Sequence, residues 1–119
     1  MFQYAAKINR VLDGDTFDAT VDLGFGVFNK QRFRVNNFDA PETWRPRNHL
    51  EAEHGARATH RAKELLDGQT VIITSTHLGI YGRYGATVTL PDGRDFVEIM
   101  RSEGFEKLPE YILDEGTDD

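Results

Sequence analysis

The chain has 119 residues, of which 39% are hydrophobic and 29% charged, with a formal net charge of −6; this is the balance of one soluble domain with a modest core of its own. It contains no cysteine, which excludes disulfides, thiolate metal sites and a cysteine nucleophile. The acidity belongs mostly to one end, where Glu106, Glu110, Asp114, Glu115, Asp118 and Asp119 face a single Lys107; residues 44–63 instead set Arg45, Arg47, Arg57, Arg61 and Lys63 against Glu51 and Glu53, so the net charge does not argue against a nucleic-acid partner.

Met1 to Arg10 lacks the apolar run of a signal peptide, and no stretch is long and apolar enough to span a membrane. The expectation is a cytoplasmic protein that does not associate with membranes. Residues 4–12 alternate loosely, with Ala6 and Ile8 on one side, and end at the turn signal Asp13-Gly14-Asp15. Residues 16–23 alternate cleanly: Phe17, Ala19, Val21 and Leu23 face one way, Thr16, Asp18, Thr20 and Asp22 the other. After Gly24-Phe25-Gly26, a third strand is expected over 27–38, with Lys30, Arg32, Arg34 and Asn36 opposite Gln31, Phe33 and Val35. Pro41 stops it, because proline cannot donate to a sheet ladder.

A basic, aromatic loop over 43–50 leads into a helix expected over 51–67, acidic in its first turn, basic in its last, with Gly68 as its C-terminal stop. Ala52, Ala56, Ala58, Ala62, Leu65 and Leu66 give it a small-residue face suited to close packing. Strands follow over 70–76 and 86–90, separated by a glycine-rich loop over 79–85. Asp95 and Glu98 then resemble a capping box for a second helix to about residue 103. The expected domain covers residues 1–113, and the acidic end, 114–119, reads as a disordered tail. Periodicity alone supports a small α+β domain, mainly β, as a barrel or a meander. Five strands with a helix between the third and fourth, and a short C-terminal helix, is the element order of a five-stranded OB-fold barrel, a fold that often binds oligonucleotides.

Each charged motif has an ordinary explanation when taken singly. Asp13-Gly14-Asp15 suits a plain hairpin turn, and Arg34, Asp39 and Glu42 suit a capped turn with a surface ion pair. An EF-hand fails because Asp18 and Gly24 stand where glycine and glutamate are required. The spacing of Gly79, Gly82 and Gly85 is not a dinucleotide fingerprint, and no P-loop lysine is present. His49 and His54 bracket a run that is neither HExxH nor HxxEH, so all four histidines read as surface or core-edge residues.

In combination the motifs are more specific. Asp13-Gly14-Asp15-Thr16, then Arg34 with Asp39-Ala40-Pro41-Glu42-Thr43, then Tyr81-Gly82-Arg83, in that order on this strand pattern, resemble the staphylococcal (micrococcal) nuclease family, also called thermonuclease. The resemblance implies that Asp15 and Asp39 are carboxylate ligands of a calcium ion (Ca2+), with the Ala40 carbonyl beside them. It also implies that Glu42 activates or orients the attacking water, and that Arg34 and Arg83 hold the scissile phosphate. Hard oxygen donors suit calcium, and guanidinium forks suit phosphate.

The family's last helix and its stacking tyrosines have no clean counterparts here. Trp44, Arg45 and Arg47 are the candidate replacements for substrate binding, together with Tyr81, because an aromatic between arginines can stack a base and grip phosphate. The activity implied is calcium-dependent hydrolysis of DNA, and possibly RNA, with single strands favoured, cleaving P–O5′ to leave 3′-phosphate ends. The alternative is a non-catalytic OB-fold module that binds nucleic acid or a protein partner.

Overall fold

Period-two alternation becomes a barrel wall. The computed structural model describes residues 2–78 and 84–112. β1 (Phe2–Asp13), β2 (Thr16–Asp22) and β3 (Phe28–Val35) form an antiparallel meander; β4 (Thr70–Leu78) returns beside β1, and β5 (Tyr84–Thr89) completes a closed barrel in the order β1-β2-β3-β5-β4. The closing pair is β3 with β5, which run parallel with Arg34 opposite Gly85. Ala6, Ile8, Phe17, Ala19, Val21, Phe33 and Val35 are buried, so the faces read from the alternation are the faces that point inward. Closing the sheet removes the exposed edges that a five-strand meander would otherwise offer.

α1 (His49–Leu66) connects β3 to β4 and packs on β1, while α2 (Phe96–Ser102) packs on β5 and buries Phe96, Val97, Ile99 and Met100. Both helix ends carry their expected chemistry. The Asp95 side chain accepts from the Glu98 amide, and Gly68, in the left-handed region at φ 70°, follows the cap residue Asp67. None of the described helices is long and apolar enough to cross a membrane.

Several expectations need correction. β2 ends at Asp22, and Leu23 is 41% exposed because the hairpin turns there, its amide reaching the Val27 carbonyl. β3 stops at Val35 because Asn37 takes a left-handed φ of 60°, a conformation asparagine tolerates better than most residues. α1 begins two residues earlier than expected, since the Asn48 side chain caps it by accepting from the Glu51 amide. On α1, Ala56 is exposed, and the buried stripe instead contains Glu51 and His54. The expected catalytic and binding residues Arg83 and Tyr81, and the acidic tail 114–119, lie outside the described residues.

Candidate active site

The close approach of α1 to two turns builds the site. A Cβ on Gly14 would stand 2.8 Å from the Ala40 Cβ and 3.2 Å from that of Ala58; a Cβ on Gly55 would stand 2.9 Å from the carbonyl oxygens of both Pro41 and Glu42. No side chain fits in either gap. Glycine in mid-helix costs roughly 0.5–1 kcal/mol relative to alanine, and here it lets α1 serve as the floor on which the 13–15 and 39–42 turns meet.

On that floor four of the expected residues converge. Asp15 is only 8% exposed; its Oδ1 accepts from the Thr16 hydroxyl at 2.9 Å, and its Oδ2 accepts from the Ala40 amide at 2.8 Å. Arg34 sits opposite Thr16 in the ladder, which directs its guanidinium at the same point. Its Nη2 lies 3.3 Å from Asp15 Oδ2 and is hydrogen-bonded to Asp39 Oδ1, while Nη1 donates to the carbonyls of Val35 and Phe38, each at 3.2 Å. One cation is thus shared by two carboxylates whose residues lie 24 positions apart in the chain. Glu42, exposed, follows on the same turn.

Asp13, part of the Asp13-Gly14-Asp15-Thr16 motif but given no role by the resemblance, belongs to this cluster. Burial, and then the hydrogen bond and charge repulsion from Asp15 with a smaller contribution from Glu42, raise its carboxyl from the ordinary 3.8 to about 7. Its Oδ1 also accepts from the Asp15 amide at 3.0 Å, so the Asp-Gly-Asp turn folds its two acids toward each other. A carboxyl raised in the folded state stabilises the fold fully below its unfolded value, and that contribution disappears as pH rises through its folded value. In chelator, therefore, the melting temperature should fall relative to Asp13→Asn as pH climbs from 3.8 through about 7. Parallel melting curves for the two proteins across that window would refute the crowding of these acids.

A second polar cluster lies beside the first. Glu51 is fully buried; its Oε1 accepts from the Arg47 amide at 2.8 Å and the Arg47 Nε at 2.9 Å, and its Oε2 accepts from the Glu42 amide at 3.3 Å and faces Lys107 Nζ at 3.6 Å. Burial opposes its charge, but the bonds from the Arg47 side chain and from the Arg47 and Glu42 amides outweigh it and lower the carboxyl to about 2. Arg47 also donates to the carbonyls of Pro109 (2.6 Å) and Leu108 (2.8 Å) and lies over the Tyr111 ring, so its guanidinium is engaged within the protein. Trp44 and Arg45 remain at the surface: Trp44 is 72% exposed, and the Arg45 guanidinium stacks 4.5 Å from its ring centroid.

His54, expected at the surface or core edge, is buried. Its Nε2 donates to the Gly104 carbonyl at 2.7 Å, and its Nδ1 is hydrogen-bonded to the Tyr111 hydroxyl at 2.6 Å. The signal for Glu51 was present in the sequence as Asn48-x-x-Glu51, a helix-start pattern. Nothing local revealed that residues 104–111 cover it.

The oxygen donors around Arg34 are the carboxylates of Asp15 and Asp39 with the Ala40 peptide alongside, a hard set. Among the described residues no three His, Asp or Glu side chains group closely enough to cage an ion by themselves. The set therefore suits a hard divalent cation that also keeps backbone and water ligands. A family model described as staphylococcal nuclease homologue matches residues 32–117 of the chain. The match takes in Arg34 and the 39–42 turn and begins beyond β2, leaving Asp15 before it. No curated protein matches the chain.

Proposed function

The chain belongs to the family of staphylococcal nuclease homologues, and from that membership we propose that it is a calcium-dependent nuclease that hydrolyses DNA with little sequence preference, RNA being the second candidate substrate. The observation that carries this reading is the convergence of Asp15 and Asp39 on a single Arg34 nitrogen beside the 39–42 turn. Such a site joins an anionic pocket for a hard cation to a guanidinium suited to phosphate.

Asp15, Asp39 and the Ala40 carbonyl would hold the calcium ion. When bound, the ion supplies Lewis-acid polarisation of a phosphoryl oxygen. Arg34 then exchanges its carboxylate partners for the non-bridging oxygens of the scissile phosphate and offsets the charge that builds there as water attacks. Arg83, by the family resemblance, is assigned the same duty. Glu42, exposed on a turn whose amide is held by Glu51, accepts the proton of that water. The new bond is P–OH, the bond broken is P–O5′, and the 5′ oxygen leaves with a proton from solvent, so the products are a 3′-phosphate and a 5′-hydroxyl. Trp44 stacked under Arg45 offers an unpaired base a π-face next to a positive charge, which supports a preference for single strands; Tyr81 keeps its assignment to substrate binding from the sequence alone. Arg47, engaged with Glu51 and the C-terminal carbonyls, serves to hold that loop.

The test is incubation of the purified protein with denatured DNA in calcium, in chelator, and in other divalent ions, followed by end-group analysis. The expected result is cleavage in calcium only, with 3′-phosphate ends. Cleavage that survives the chelator would overturn the metal assignment. Binding without cleavage in every divalent ion would identify a non-catalytic OB-fold module.

A further inference from the structure

Glu51 is a carboxylate with no solvent exposure in the first turn of α1, where an exposed acid would complement the helix dipole at far lower desolvation cost. Its partners explain the position. Through Oε2 it holds the Glu42 amide at 3.3 Å, and through Oε1 it holds Arg47, whose Nη1 and Nη2 reach the carbonyls of Pro109 and Leu108. The same C-terminal segment touches the site directly. The Lys107 amide donates to the Asp39 carbonyl at 2.7 Å, and Arg101, paired with Glu106, donates to the Asn37 carbonyl. The segment is itself closed down on α1 by the Tyr111 hydroxyl, which bonds His54 and accepts from the Leu108 amide, and by Asn48, which donates to the Tyr111 carbonyl. Residues 101–111 therefore grip both halves of the 37–42 turn, the Asp39 half through a backbone amide and the Glu42 half through Glu51.

We propose that Glu51 is a positioning residue for the reaction, its buried carboxylate coupling the docked C-terminal segment to the Glu42 peptide so that the base stays aimed at the attacking water. This rests on the nuclease reading above for what Glu42 does, and on the hydrogen bonds alone for the coupling. A buried carboxylate is a poor choice for stability by itself, since a well-packed apolar residue of like volume often serves as well or better. Four donors directed at one carboxylate instead fix the 42–47 loop against the start of α1 and against Lys107, which is distant in sequence.

The experiment uses Glu51→Gln, which keeps shape and one carbonyl oxygen while turning an NH2 toward donors, and Arg47→Gln, which unties the C-terminal segment from Glu51. Both are measured well below their melting temperatures, with folding checked by circular dichroism. The expected result is a kcat on denatured DNA lower by about 10–100-fold, as for other residues that act through a reacting group, with KM unchanged within threefold. Exchange of the Glu42 amide hydrogen should be about 2–10-fold faster, the loss of one hydrogen bond. A rise in KM for Arg47→Gln at unchanged kcat would instead put that guanidinium on the substrate and overturn the coupling. Wild-type kcat and wild-type Glu42 exchange in folded Glu51→Gln would do the same. Should the wild-type protein cleave nothing, the nuclease reading fails, and the exchange rates of Glu42 in the two variants still decide the coupling.

Discussion

Arg34→Ala is expected to lower kcat on denatured DNA by about 10²–10³, the usual cost of removing one preorganised group that meets developing charge. The same substitution should leave calcium binding intact or tighten it. Arg34 Nη2 now neutralises Asp15 and Asp39 together, and without it the two carboxylates face each other with no cation between them. A divalent ion then meets less competition for those oxygens and less repulsion from a neighbouring guanidinium. Steady-state kinetics and calorimetric titration with calcium, run on the same preparation, read the two effects separately. If kcat stays within tenfold of wild type, Arg34 does not hold the scissile phosphate. If activity and calcium affinity fall together, its part is to shape the acidic pocket. A fall in kcat with calcium affinity unchanged or higher is the signature of a phosphate-holding arginine parked on the carboxylates until substrate arrives.

Glu51→Ala is expected to cost about 1–3 kcal/mol of stability, the penalty for leaving donors without their buried acceptor, since the cations that remain, Arg47 and Lys107, are 43% and 33% exposed. Against a total of about 5–15 kcal/mol for a small domain, that is a large share. The cost has identifiable parts. The Glu42 amide and the Arg47 amide lose their acceptor, the Arg47 Nε loses its partner, and Lys107 is left facing a void. Urea denaturation monitored by circular dichroism measures it, and a loss below 1 kcal/mol would show that water or the Arg47 side chain fills the gap.

The effect has a defined pH dependence. The Glu51 carboxyl is lowered from 4.5 to about 2, because the bonds from Arg47 and the Glu42 amide outweigh the burial that opposes its charge. A lowered carboxyl contributes stability above its unfolded value and loses it as pH falls through its folded value. The difference between wild type and Glu51→Ala should therefore be full above pH 4.5 and shrink progressively toward pH 2. This runs opposite to Asp13, whose contribution fades as pH rises, so in the metal-free protein Asp13 favours low pH while Glu51 favours neutral pH.

Much of the barrel was legible because strand pairing leaves a local trace. Phe17, Ala19 and Val21 alternate with Thr16, Asp18 and Thr20, and that period of two reports a sheet with one buried face before any partner strand is known. The caps were legible for a similar reason: Asp95 reaches only three residues to the Glu98 amide, and Gly68 needs no neighbour to adopt a positive φ. The acids and arginine of the site were visible as residue types at strand ends. The tyrosine-glycine-arginine loop, as legible as the rest, falls outside the described residues.

What the sequence by itself determined is the set of elements and the chemical inventory at their ends, since both are written in contacts a few residues long. What only the tertiary structure decided is which charges leave water and whom they meet. Arg47 reads as a candidate substrate-binding residue and Glu51 as an acid in a helix's first turn until residues 107–109, some 60 positions away, meet them. His54, read as a surface or core-edge residue, is a buried link for the same reason. Asp13 became part of the acidic cluster because α1 presses its Gly55 and Ala58 face against the 13–15 and 39–42 turns, leaving room there for no Cβ. Burial and pairing of charge depend on which distant surface arrives, and a pattern of neighbours along the chain does not contain that surface.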